Sequence, residues 1–221
     1  MQRISSLFDY FKKYEQSVKD PEEFWAEIAD TFIWKKKWDK VLDWDFDSVD
    51  IKWFENAKLN ITENILEKNL KDRGDKTAII WEPNDPTEAS IYLTYKELYE
   101  ETCKFSNALR EKGIKKGDRV IIYMPMVPEA AIAMLACARV GAIHSVVFAG
   151  FSSTSLADRI NDCQAKMVLT SDGNFRGNKT IPVKPVVDEA LEKCKTIESV
   201  VVLERTKQKI NMTSGRDFWW H

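Results

Sequence analysis

The sequence is poor in the residues that announce metal, redox or secreted chemistry. Its 221 residues include two histidines and four cysteines. Cys103, Cys137, Cys163 and Cys194 are too scattered to form a Cys-x-x-Cys pair. That spacing argues against a zinc site or a disulfide framework and suits free thiols in a reducing cytosol. Cys137, inside the run Ala133-Met-Leu-Ala-Cys-Ala138, reads as a small buried hydrophobe rather than a reactive thiol. Long apolar runs are missing as well: no window approaches the roughly 20 apolar residues of a membrane-spanning helix. The N-terminal stretch Met1-Gln-Arg-Ile-Ser-Ser-Leu-Phe-Asp-Tyr10 carries charges and lacks the apolar core of a signal peptide. Nor is there a surplus of one charge. The formal net charge of −2 gives no overall field that would draw in nucleic acid or an anionic membrane. What remains is a soluble, cytoplasmic, globular protein, whose affinity for any phosphate must come from a local cluster.

What is present divides the chain into an extension, residues 1–60, and an α/β part, residues 61–221. In the extension, Asp20 followed by Pro21-Glu22-Glu23 predicts a helix start, with a cap, a proline in the first turn and acids at the positive end of the dipole. Beyond it, Trp34-Lys-Lys-Lys-Trp38 and Val41-Leu-Asp-Trp-Asp-Phe-Asp47 mix aromatics with both charges. Aromatics among lysines can stack on nucleotides, but the aspartates would repel a phosphate backbone. The stretch therefore reads as an irregular arm whose tryptophans anchor it to a larger body.

From Lys76 the pattern becomes regular. Residues 77–81 and 91–93 read as a hairpin around Asn84-Asp85-Pro86. Thr94-Tyr-Lys-Glu97 is a capping box opening a helix that ends at Gly113. Strands follow at residues 118–123, 143–148, 166–170 and 199–203, alternating with helices at 128–138, 154–161 and 186–194. Strand and helix in alternation predict an α/β fold with a mostly parallel sheet flanked by helices.

Ligands of such sheets bind at the carboxyl ends of the strands. Three loops leave strands there: Met124–Pro128, Ala149–Ser152 and Ser171–Lys179. The third, Ser171-Asp-Gly-Asn-Phe-Arg-Gly-Asn-Lys179, carries the most chemistry. Its glycines let backbone approach a ligand, Arg176 can grip a phosphate with two donors, and Lys179 adds a point charge. It is no Walker A loop, in which lysine directly follows the second glycine across a longer interval. A solvated turn with incidental charges accounts for the composition equally well. His144, inside an apolar strand, reads as a core histidine rather than a catalytic one. No nucleophile elbow, zincin helix or dinucleotide fingerprint is present.

At this point whole segments match a known family. Lys116-Gly-Asp-Arg-Val120, Tyr123-Met-Pro-Met-Val-Pro-Glu-Ala130, the run from Met134 to Phe148 and Gly150-Phe-Ser152 resemble the AMP-forming acetyl-CoA synthetases of the adenylate-forming superfamily. Leu93-Thr-Tyr-Lys-Glu-Leu98 and Gly215-Arg-Asp-Phe-Trp-Trp220 fit the same family, in order and without gaps. The resemblance implies the first subdomain of the large N-terminal domain of an adenylate-forming enzyme, with a helical, Trp-rich extension. It implies a parent ligase that activates acetate with Mg-ATP to acetyl-AMP and then forms acetyl-CoA. By position, it implies that Arg176, Gly177, Asn178 and Lys179 bind the nucleotide and phosphate end of coenzyme A, with Gly150 near the same ligand. Where the family often has Phe-Gly-Gly-Phe, this chain has Phe148-Ala-Gly-Phe151, a change that bears on coenzyme A affinity.

The family's Ser/Thr/Gly-rich loop that wraps the ATP phosphates, its acyl pocket and its catalytic lysine have no counterpart in this sequence. The expectation is therefore an N-terminal fragment, halting at Phe218-Trp-Trp-His221 as if in mid-element. It would hold no catalytic residue, no metal ligand and only part of a coenzyme A site. Its partners would be acetate, ATP and coenzyme A in the parent, plus the rest of its own chain, with neither nucleic acid nor membrane. The alternatives are a fragment of a propionyl-CoA or other short-chain acyl-CoA ligase, and a stand-alone non-catalytic module that binds coenzyme A or a protein.

Overall fold

The computed structural model describes residues 4–221. Met1, Gln2 and Arg3, the start of the stretch read against a signal peptide, lie outside the described residues. The chain forms two units, Met1–Asn64 and Ile65–His221.

In the first unit, the Ser6 side chain accepts from the Asp9 N–H and opens α1 (Leu7–Lys19). The Asp20 carboxylate accepts from the Glu23 N–H, with Pro21 in the first turn, and opens α2 (Pro21–Ala29), where the sequence predicts it. The aromatic stretch is more ordered than the irregular arm expected of it. β1 (Leu42–Asp45) pairs antiparallel with β2 (Asp50–Trp53), and Leu42 faces Trp53. The Asp45 carboxylate accepts the Asp47 N–H at 2.9 Å and folds the turn between them. The tryptophans pack on aromatics of their own unit: ring centroids of Trp34 and Trp38 lie 5.3 Å apart, Trp38 and Phe54 5.2 Å, and Trp25 and Trp53 6.0 Å. Edge-on pairs of this kind add roughly 0.5–1.5 kcal/mol each beyond the area they bury.

A π-helical turn (Glu63–Glu67) leads into α3 (Lys68–Arg73). Then β3 (Thr77–Trp81) and β4 (Ile91–Thr94) form the antiparallel hairpin that the Asn-Asp-Pro turn predicts. Thr94 and Glu97 exchange both bonds of the capping box at the start of α4 (Tyr95–Glu111). The chain continues through β5 (Arg119–Tyr123), α5 (Pro128–Val140), β6 (Ile143–Val146), α6 (Ser153–Cys163) and β7 (Met167–Ser171). It ends with β8 (Gly173–Arg176), β9 (Lys179–Pro182), α7 (Lys184–Leu191), β10 (Ser199–Leu203) and β11 (Asp217–Trp219). Gly141 stops α5 in the left-handed conformation, with φ +80, a position that a side chain would strain.

The main sheet has the order β11-β10-β7-β5-β6, and every neighbouring pair is parallel. Successive strand residues point to opposite faces, and both faces are covered. Val120, Ile122, Met167, Leu169 and Val201 pack with Leu98, Phe105, Ile132 and Ala136 of α4 and α5. Ile121, Tyr123, Val168, Val200 and Val202 pack with Leu156, Ile160, Val187 and Ala190 of α6 and α7. This explains why the strands read as near-continuous apolar runs rather than alternating ones.

Two further elements depart from the sequence reading. The stretch after β7 is a third antiparallel hairpin, β8–β9, instead of a rim loop without regular structure. The aromatic tail also joins the sheet, as β11 alongside β10.

Candidate functional site

The β8–β9 hairpin carries four of the five residues assigned to coenzyme A. Arg176 and Lys179 face each other in register as the last pair of the ladder, and Gly177 and Asn178 form the two-residue turn. Gly177 has φ +56 and Asn178 does not share the positive φ, the pattern of a turn that requires glycine first. The turn thus brings two cations to one exposed point. Neither forms an ion pair among the described residues, so both charges remain open to an anion. Two donors of different geometry, a fork and a flexible ammonium, suit a phosphate.

The hairpin tip is fastened to the turn between β3 and β4. The Asn84 Nδ2 donates to the Gly177 carbonyl at 2.9 Å, and the Gly177 N–H donates back to Asn84 Oδ1 at 3.2 Å. Gly177 therefore spends both its backbone groups on Asn84. A polar cleft of about 420 Å³ lies between the two turns, lined by Asp85, Thr87, Glu88, Phe175 and Asn178 among others. The Asp85 carboxyl is held below the usual carboxylate value by bonds from the Thr87 backbone and hydroxyl.

Behind the tip stands a second set of residues that the sequence reading passed over. The two terminal guanidinium nitrogens of Arg205 donate to the Glu88 carboxylate, at 3.0 and 3.1 Å. The same guanidinium lies 5.0 Å from the Trp81 ring and 4.8 Å from the Phe175 ring. Arg205 is placed in turn by Asp172, a fully buried carboxylate at the end of β7. Asp172 accepts the backbone N–H groups of Gly173, Arg205, Thr206 and Gln208, at 2.7 to 3.1 Å. One carboxylate so fixes the start of β8 and the loop after β10 together. A signal for this was available in principle, since an aspartate directly after an apolar strand and before glycine is a common backbone acceptor.

Gly150 lies on a different rim loop, between β6 and α6. It is exposed, and a side chain added there would meet the Phe148 ring at 2.5 Å. The Tyr123 hydroxyl donates to the Phe151 carbonyl at 2.7 Å and ties down that loop. Since β5 stands between β6 and β7 in the sheet, Gly150 shares the carboxyl edge with the hairpin but does not touch it through any bond among the described residues.

The remaining candidates fall on the bland side. Cys137 is fully buried, and burial pushes its thiol up to about 12, far from reactive thiolate chemistry. Burial lowers the His144 imidazole, which leaves it neutral at physiological pH. Among the described residues, no three His, Cys, Asp or Glu side chains gather to hold a metal. No described helix is long and apolar enough to cross a membrane.

The frame is a parallel α/β sheet with an exposed turn carrying two cations beyond its carboxyl edge, and comparison narrows the class. A family model described as AMP-binding enzyme matches residues 66–220. The chain belongs to the AMP-binding enzyme family. A model described as acetyl-coenzyme A synthetase N-terminus matches residues 10–65. The acetyl-coenzyme A synthetase of Syntrophobacter fumaroxidans is 53% identical over 212 residues, covering 96% of this chain and 32% of that protein. That of Magnetococcus marinus is 51% identical over 213 residues, covering 96% of this chain and 33% of that protein. The structure of acetoacetyl-CoA synthetase from Streptomyces lividans superposes with a TM-score of 0.83 at 25% identity, covering 93% of this chain and 31% of that one. The chain thus spans about a third of the length of the relatives it matches.

Proposed function

We propose that this chain belongs to an AMP-forming acetate–CoA ligase and contributes the grip on the nucleotide end of coenzyme A. In the whole ligase, an acetate oxygen attacks the α-phosphorus of Mg-ATP and pyrophosphate leaves. The coenzyme A thiol then attacks the acetyl carbon and AMP leaves. The supporting observation is the pair of cations, Arg176 and Lys179, without an ionic partner among the described residues and presented by a two-residue turn beyond the carboxyl end of β7. The acetyl-coenzyme A synthetase names of relatives about half identical over nearly the whole chain point to the same ligand.

In this reading Arg176 and Lys179 neutralise the 3′-phosphate, Asn178 offers its amide, and Gly177 makes the turn. Gly150 gives the ligand room on the neighbouring loop. The chain binds coenzyme A and carries none of the residues that break a phosphoanhydride, so adenylation is done elsewhere in the ligase. A cytoplasmic location suits substrates that are phosphorylated and soluble.

Calorimetric titration of coenzyme A into the chain and into Arg176→Ala tests the site. The wild-type chain binds, and the variant binds more weakly by a factor on the order of 10, the scale of a charge-assisted bidentate contact. Equal affinities, or no binding to either protein, remove the assignment.

A further inference from the structure

We propose that Asn84 is the positioning residue of the coenzyme A grip: its side-chain amide clamps Gly177 and sets the direction in which Arg176 and Lys179 face their phosphate. The inference rests on the reading of the turn as that grip.

A two-residue turn at the end of a free hairpin swings as a unit, because a hairpin of two short strands is marginally stable alone. β8 and β9 have four residues each and pair only with each other. Two cations on a swinging tip would bind a phosphate only after paying the entropy of ordering. The structure removes that freedom at both ends. At the base, buried Asp172 holds the N–H of Gly173, the first residue of β8. At the tip, Asn84 bonds both the N–H and the carbonyl of Gly177, in the manner of one more strand residue. This leaves the side chains of Arg176, Asn178 and Lys179 as the free groups of the turn.

Asn84 can do this only if its own loop is fixed. Its far end is held where Glu88 takes both terminal nitrogens of Arg205, at 3.0 and 3.1 Å. Arg205 also sits over Phe175, on the hairpin itself, at 4.8 Å. The two turns and the loop after β10 therefore close a ring around the cleft. Asn84 is its contact with the phosphate-facing turn, and each of its amide atoms already holds one bond to Gly177. Asn84 thus acts through the turn.

Adenosine 3′,5′-bisphosphate, the nucleotide end of coenzyme A without its thiol arm, is the probe. Its affinity for the 221-residue chain is compared by calorimetry across wild type, Asn84→Ala, Arg176→Ala and the double variant. Hydrogen exchange at the Gly177 amide and the melting temperature are followed in parallel. We expect Asn84→Ala to weaken binding roughly fivefold to tenfold, the worth of one or two net hydrogen bonds. Gly177 exchange should quicken while the melting temperature stays put. The double variant should lose less than the sum of the two single losses, because with Arg176 gone only Lys179 is left to position. Wild-type affinity in Asn84→Ala, with Arg176→Ala impaired, overturns the inference and leaves the grip standing. Additive losses would make Asn84 a direct contact and overturn it as well. If the wild-type chain does not bind the probe, or Arg176→Ala binds it equally well, the grip itself falls and the inference with it.

Discussion

Two lysines on consecutive elements, Lys179 at the tip of β8–β9 and Lys184 at the start of α7, are opposites in every physical respect. Lys184 is fully buried. Its ammonium bonds Asp188 at 2.7 Å, Asp217 at 2.8 Å and the Asn211 carbonyl at 3.1 Å, which uses all three of its donors. Arg216 completes the group, touching Asp217 at 2.6 Å and Asp188 at 2.9 Å. Lys179 is exposed and has no ionic partner among the described residues. The difference shows how to sort charges in such a domain. A buried charge whose valences are all filled holds elements together, here α7 to β11 and the loop before it. A charge left open at the carboxyl edge of the sheet is available for a ligand.

The strongest way to break this contrast is Lys184→Met, which keeps the length and removes the charge. The variant leaves the side chain of Asp217 fully inaccessible, with Arg216 as its one remaining cation and the Thr213 N–H as its backbone donor. Removing one member of a buried ionic group costs about 3–5 kcal/mol, the largest loss expected of any single change discussed for this chain. Urea unfolding should show the midpoint lowered by that loss divided by the m-value. If the midpoint holds, the network is not what fastens β11 to the sheet.

A smaller effect of the same network appears in acid. Burial pushes the Asp217 carboxyl up, but the bonds from Arg216 and Lys184 outweigh it and hold the group below its ordinary 3.8. A carboxyl depressed in the folded state stabilises fully above its unfolded value, and that stability is lost as the pH falls through its native value. Stability should therefore drop below about pH 3.8, and in Asp217→Asn the drop should be shallower from a lower starting level. Identical acid limbs in the two proteins would contradict the sign. The tip should contribute nothing to this limb, since its open charges are not carboxylates.

Much of this contrast could be read from the chain before its fold was known. The parallel strands are apolar on both faces because helices cover both, so Val120–Tyr123 and Met167–Leu169 stand out without any alternation. Caps such as Thr94–Glu97 are local chemistry and fall where the sequence places them. The β8–β9 hairpin was legible too: Gly177-Asn178 between Asn-Phe-Arg and Lys-Thr-Ile is a two-residue hairpin signal. Reading the segment as a phosphate loop hid it. The clamp was not legible. Asn84 and Gly177, or Glu88 and Arg205, are far apart in sequence, and nothing local says that two turns will meet. Lys184 shows the converse limit, since a lysine beside a proline at a helix start carries no mark of complete burial. Only the sheet order, which brings β11 beside β10, puts Asp217 within its reach.

The smallest change in stability should come from Lys179→Met, and for that reason it sharpens the comparison most. The side chain is exposed and has no ionic partner among the described residues, and surface substitutions away from caps, cores and networks leave stability almost unchanged. The melting temperature should therefore match wild type, in contrast to Lys184→Met. Coenzyme A affinity should fall severalfold, less than in Arg176→Ala, because an ammonium makes a point contact where a guanidinium makes a forked one. The fall should also depend on salt. An exposed cation facing a phosphate is screened over about 10 Å at 0.1 M ionic strength, so wild type and variant should converge as salt is raised. A difference that persists undiminished in high salt would mean that Lys179 supports the turn sterically, and its open charge would lose its meaning as a ligand contact.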